Sequence, residues 1–278
     1  MKLSFLYLII LAIFSVSSIT LNAQSYEDMI AKSYEYVDNN DLFAAEETLK
    51  AAMRLEPANR YNYALLTNLG TVQRRQGKFD DAVISYTAAL SQQPKSDLIL
   101  RNRAETYAEM GKTENALLDY ETLLSINPLD EDALYNRGLL YIQTENFLLA
   151  EADFERVLEL NPETEKGRMG FAILEKVRRN YSESEIIFNY LIDKNPRNWR
   201  LYEERAELYF LMDKKGRAMS DLNKVFAEVA EPSAELYVLR GRVKLAQYEK
   251  ESAAIDFKKA QELGYDAETI ATLLKQSF

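Results

Sequence analysis

The chain has 278 residues, 44 acidic against 34 basic side chains for a formal charge of −10, and neither cysteine nor histidine. The missing residue types exclude Ser-His-Asp and Cys-His nucleophilic sites, histidine acid–base chemistry, zinc held by Cys or His, disulfides and Cys-ligated iron–sulfur clusters within this chain. An acidic surface without a basic block also argues against nucleic acid as a ligand.

With 9 Gly and 6 Pro among many Ala, Leu, Glu, Lys and Tyr, the composition favours long helices joined by short loops. Residues 1–23 read as a secretory signal: one basic residue, Lys2, then an apolar stretch over 3–21, then a small-residue boundary with cleavage after Ala23. The competing reading is an uncleaved anchor, because the stretch approaches the ~20 residues that span a bilayer, although Ser15, Ser17, Ser18 and Thr20 dilute it. No cysteine follows it, which rules out a lipid-anchored exported form. The expectation is an exported, periplasmic protein that meets the membrane only if residues 3–21 are retained.

Beyond the signal, proline punctuates the chain. Pro94, Pro128, Pro162 and Pro196 lie 34 residues apart, with Pro57 before them and Pro232 after. Small residues recur at Ser33, Gly70, Ala104, Gly138, Ala172, Ala206 and Gly241, and again 12 residues later at Ala45, Ala82, Ala116, Ala150, Ser184, Ala218 and Ala253. Two small positions per unit are what closely paired helices need, since a larger side chain would push the backbones apart. One turn on from the second come Leu49, Tyr86, Tyr120, Phe154, Phe188, Leu222 and Phe257 on the same face. Gly77 and Gly111 fall where a helix must stop and turn, so each unit is a helix–turn–helix hairpin.

This pattern resembles the tetratricopeptide repeat, most closely over Leu66, Gly70, Ala82, Tyr86, Ala89 and Pro94, and nearly as well over Leu134, Gly138, Tyr141, Ala150, Phe154 and Pro162. The expected architecture is all-α, with seven hairpins at about 26–59, 63–96, 97–130, 131–164, 165–198, 199–232 and 234–265. The resemblance implies that these stack into a right-handed superhelical solenoid. Residues 266–278 read as a capping helix, with Asp266 as N-cap and Ile270, Leu273 and Leu274 on one face. Ser33 and Leu49 in the first unit, and Glu175 in the fifth, depart from the family pattern and predict looser packing or a joint there.

A charge pair is written into four units. Arg103, Arg137, Arg205 and Arg240 are each followed 16 residues later by Asp119, Asp153, Asp221 and Asp256, whereas the other units carry Lys32 with Thr48, Leu69 with Ser85, and Phe171 with Ile187. A ladder of basic residues for an acidic ligand would give no reason for the aspartates. An Arg–Asp contact inside each hairpin does, because a buried charge is normally paired.

In the resembled family the first helix of each unit lines a concave groove, and the groove positions of the central units place Arg101, Glu105, Tyr135, Leu139, Ile142, Met169, Ile173, Arg200, Glu203 and Phe210 there. Their apolar members mark either an interaction patch or side chains buried by packing between neighbouring helices. Asn68, Asn102 and Asn136 recur at a position that some family members use to grip a C-terminal carboxylate. Thr67, Thr71 and Leu98 stand where the rest of that grip would be. Gly111-Lys112-Thr113 resembles the end of a phosphate-binding loop, but Thr106 stands where its first glycine is required. The expected function is therefore a non-enzymatic scaffold of the cell envelope that holds a protein or peptide without cofactor or metal. A membrane-tethered assembly factor and a carboxylate-only hydrolase are the alternatives.

Overall fold

The structure, a computed structural model, describes residues 25–277; the secretory-signal reading concerns residues outside that range. Every regular element among the described residues is a helix. The chain divides into two units, one ending at Pro128 and the other beginning at Leu129.

The first unit holds three hairpins: α1 Tyr26–Asp38 with α2 Leu42–Leu55, α3 Asn62–Arg75 with α4 Phe79–Gln92, and α5 Asp97–Glu109 with α6 Thr113–Ile126. The second holds four: α7 Glu131–Gln143 with α8 Phe147–Leu160, α9 Glu165–Val177 with α10 Tyr181–Lys194, α11 Trp199–Leu211 with α12 Lys215–Glu228, and α13 Ala234–Ala246 with α14 Lys250–Glu262, followed by α15 Ala267–Gln276. Inside each unit a helix packs first on its hairpin mate and then on the next helix along the chain. Ser25, Asp41, Asp130, Ser233 and Asp266 cap their helices by accepting a backbone N–H in the first turn.

The repeated small and bulky positions form the core. The second small residue of every hairpin is fully buried, and so is the bulky residue one turn later, from Leu49 to Phe257. At Gly138 the close approach is explicit, because a Cβ there would lie 2.5 Å from the Phe154 ring, and one at Gly170 would lie 2.4 Å from the same ring. Ile270 of α15 is buried against Phe257 and Ala260, with Leu273 and Leu274 beside it, so the last helix covers the apolar side of α14.

All seven hairpin turns use one device. A left-handed residue follows the first helix at Asn40, Gly77, Gly111, Glu145, Arg179, Asp213 and Tyr248. The next N–H donates back to a carbonyl five residues earlier, as from Asp41 to Tyr36 and from Lys112 to Tyr107, both at 2.8 Å. This is the Schellman closure, for which glycine is the unstrained choice. Only two of the seven turns have it.

The four arginine–aspartate pairs are contacts within hairpins. Arg103 donates through Nε and Nη2 to both oxygens of Asp119 at 2.8 and 2.7 Å, and Arg137 does so to Asp153 at 2.9 and 2.7 Å. Arg205 with Asp221 and Arg240 with Asp256 repeat the two-pronged geometry. The aspartates are buried and the arginines partly so. Arg103 also reaches Thr87 on α4 at 2.9 Å, and Arg205 reaches Asn189 on α10 at 2.6 Å, so these two forks each plug a joint among three helices.

Candidate protein-binding face

Within the second unit, α7, α9, α11 and α13 pack in sequence, which makes a continuous face from the first helices of its hairpins. The apolar residues assigned there by position are largely consumed by packing. Tyr135, Ile142 and Met169 are buried, while Leu139, Ile173 and Phe210 are half-buried. The Tyr135 ring lies 6.1 Å from Phe154, Ile173 packs on the core around Met169, and Arg242 sits over the Phe210 ring at 4.9 Å. In the first unit, Arg101 and Glu105 are half-buried, and Glu105 accepts from Arg74 at 2.7 Å. Asn68 donates to the Tyr34 hydroxyl at 3.1 Å.

The polar members of the face are more telling. Arg200 is exposed at the start of α11 and Glu203 is half-buried one turn on. Beside them a cavity of about 240 Å³ is lined by Glu203, Glu204, Glu207 and Glu235, with Arg242, Tyr265, Val238 and Leu239 completing it. Burial, and then the neighbouring Glu204, push the Glu203 carboxyl above its ordinary value; Arg200 pulls the other way. Lys176, buried on α9, bonds Glu204 at 2.8 Å and also Glu207. Burial pulls its ammonium down, and the two glutamates more than offset that. Four carboxylates thus line the cavity beside Arg242, with Lys176 bonding two of them, leaving an excess of negative charge there.

The hydroxyl of Tyr135 is buried and has no hydrogen-bond partner among the described residues. Its pKa is raised by burial, with Glu204 and Glu165 adding and Arg200 opposing, which places these charges around it. A buried hydroxyl without a partner costs free energy.

Position in the repeat assigns Glu203 and Glu207 to the first-helix face, but the acidic cavity as a whole could not be read that way. Glu204 and Glu235 do not stand at the groove positions of the repeat, and Lys176, in the last turn of α9, carries no sequence signal of its burial.

Models described as tetratricopeptide repeat match residues 30–97, 67–119 and 131–164, and one described as TPR repeat matches residues 104–144. Among solved structures, the chain is similar to a tetratricopeptide repeat protein from Parabacteroides merdae ATCC 43184, with 62% identity over 92% of this chain and 99% of that one and a TM-score of 0.82. It also shares its fold with PilW, described as a widely conserved type IV pilus biogenesis factor, at 21% identity over 76% of this chain and 98% of that one, TM-score 0.59. The APC/C hetero-tetramer Cut9-Hcn1 matches at 14% identity over 95% of this chain and 58% of the other, TM-score 0.64. No curated protein matches the chain.

Proposed function

The chain belongs to the tetratricopeptide-repeat family, and from that premise we propose that it is a non-catalytic scaffold of the cell envelope that holds a cationic segment of a partner protein on the first-helix face of its second unit. The cavity walled by Glu203, Glu204, Glu207 and Glu235 carries this reading. A lysine or arginine side chain entering it would offset the burial and the neighbouring Glu204 charge that hold Glu203 above its ordinary value. Support for the envelope comes from the sequence alone, in Lys2, the apolar stretch over 3–21 and the boundary at Ala23.

The test is affinity capture from the envelope fraction with the intact chain and with Glu203→Lys/Glu235→Lys as baits. One partner held by the parent and lost by a variant of unchanged helicity supports the proposal. Identical captures from both baits refute it. The mass of the mature chain decides between cleavage after Ala23 and a membrane-tethered form.

A further inference from the structure

The fifth hairpin lacks the fork that closes its neighbours. Phe171 and Ile187 stand where Arg137 and Asp153 stand in the fourth, and both positions are apolar in no other hairpin. Where the fork would plug the joint of α8, α9 and α10, a cavity of about 510 Å³ opens instead. Leu158, Phe171, Ile186, Ile187 and Tyr190 line it, and Ile186 and Tyr190 remain 62% and 39% exposed. The volume falls in the range of ligand sites, which are largely apolar with a few polar groups at their edges. None of its residues belongs to the acidic cavity of the proposed binding face.

The charges around this pocket have a polarity. The antiparallel hairpin sets Arg168 beside Tyr190 at one end, with the guanidinium 5.1 Å above the ring and Lys194 5.7 Å from it. Among the described residues Arg168 bonds the Pro162 carbonyl, at 2.8 Å, and no carboxylate. At the other end the same register brings Glu175 opposite Glu183; Glu175 is held by Arg178 and Asn180, and Glu183 is exposed. From Arg168 to Glu175 is seven residues, roughly 10 Å or two helical turns. The site is thus an apolar slot two turns long, basic at one end and acidic at the other.

We infer that this slot is a second docking site, and that its occupant is an amphipathic helix of a partner protein. That helix presents two bulky apolar side chains three or four residues apart, an acidic residue toward Arg168 and a basic residue toward Glu183. Charge complementarity fixes its direction, and the spacing follows from one stripe of a helix lying along the slot.

The test is selection of twelve-residue peptides from a displayed library on the full chain, followed by affinity measurement against three variants. Peptides of the stated pattern should bind the parent and weaken at least tenfold on Ile186→Lys, an exposed substitution that leaves the core alone. They should weaken equally on Phe171→Arg/Ile187→Asp, which installs the pair that four sister hairpins carry. Glu203→Lys/Glu235→Lys should bind as the parent does, so failure here is separable from failure of the acidic face. Peptides of another pattern, or unchanged affinity on Ile186→Lys, would overturn the inference. So would a chain that dimerises in sedimentation and becomes monomeric on Ile186→Lys, because the slot would then belong to a second copy.

Discussion

In the fourth hairpin Arg137 clasps Asp153 across α7 and α8; in the fifth, Phe171 and Ile187 hold the equivalent places and leave an open apolar slot. The cores of the two are otherwise alike, with Ala150 and Phe154 in one matched by Ser184 and Phe188 in the other, all fully buried. The charge pair is therefore not what holds a hairpin together. In the third and sixth hairpins Arg103 and Arg205 also bond Thr87 and Asn189 of the preceding hairpin, and in the fifth, where the pair is absent, that surface is open. The second hairpin closes its joint a third way: Ser85 donates to Gln73 at 2.6 Å, Gln73 to Glu46 at 3.3 Å, and Lys78 to Glu46 at 2.8 Å.

The largest expected effect comes from breaking the charge pair. Asp153→Ala leaves Arg137, only 20% exposed, without its carboxylate and should cost about 3 kcal/mol in urea unfolding. A midpoint equal to the parent's would remove the structural account of the pair. Next is the packing common to both hairpins. Gly138→Ala drives a methyl into the buried Phe154 ring and should cost about 2 kcal/mol, whereas the fifth hairpin already carries Ala172 at that position. Thermal unfolding checks it, and no loss would mean that the ring has room to shift.

The third way of closing a joint is testable by acid. Burial raises the Glu46 carboxyl, but bonds from Lys50, Lys78 and Gln73 outweigh it and bring the pKa from an ordinary 4.5 down to about 2. Its contribution is complete above pH 4.5 and is lost as pH falls toward about 2. Because Lys50 and Lys78 are substantially exposed, that contribution is on the order of 1 kcal/mol. Stability curves of the parent and Glu46→Gln should converge on acidification; parallel curves would deny Glu46 that role. The smallest effect concerns the shared turn. Tyr248→Gly relieves a left-handed, exposed tyrosine and should gain about 0.5 kcal/mol, after the added freedom of the unfolded chain is counted.

These elements also mark where sequence reasoning reaches and stops. The small residues, the bulky residue after them and the Arg–Asp spacing were legible because each recurs, and recurrence at fixed spacing reports a contact made again in every hairpin. The turns were half legible: Gly77 and Gly111 announce themselves, while Glu145, Arg179 and Tyr248 adopt the same backbone without any compositional sign. Glu175, the expected site of a loosened joint, lines the acidic end of the open slot, but the residues that stand in place of the charge pair there are Phe171 and Ile187. The acidic cavity was least legible, since it depends on side chains of α11, α13 and the residue Tyr265 meeting in space.

The proposal that a cationic segment is held on the first-helix face is tested most directly by placing a photoreactive residue at Arg200, exposed beside Glu203, and irradiating the chain in its native compartment. The account predicts a protein adduct at that position that disappears in Glu203→Lys/Glu235→Lys and is not formed from the exposed Leu118 on α6. An adduct that persists in the charge-reversed chain, or that forms equally from Leu118, would contradict it.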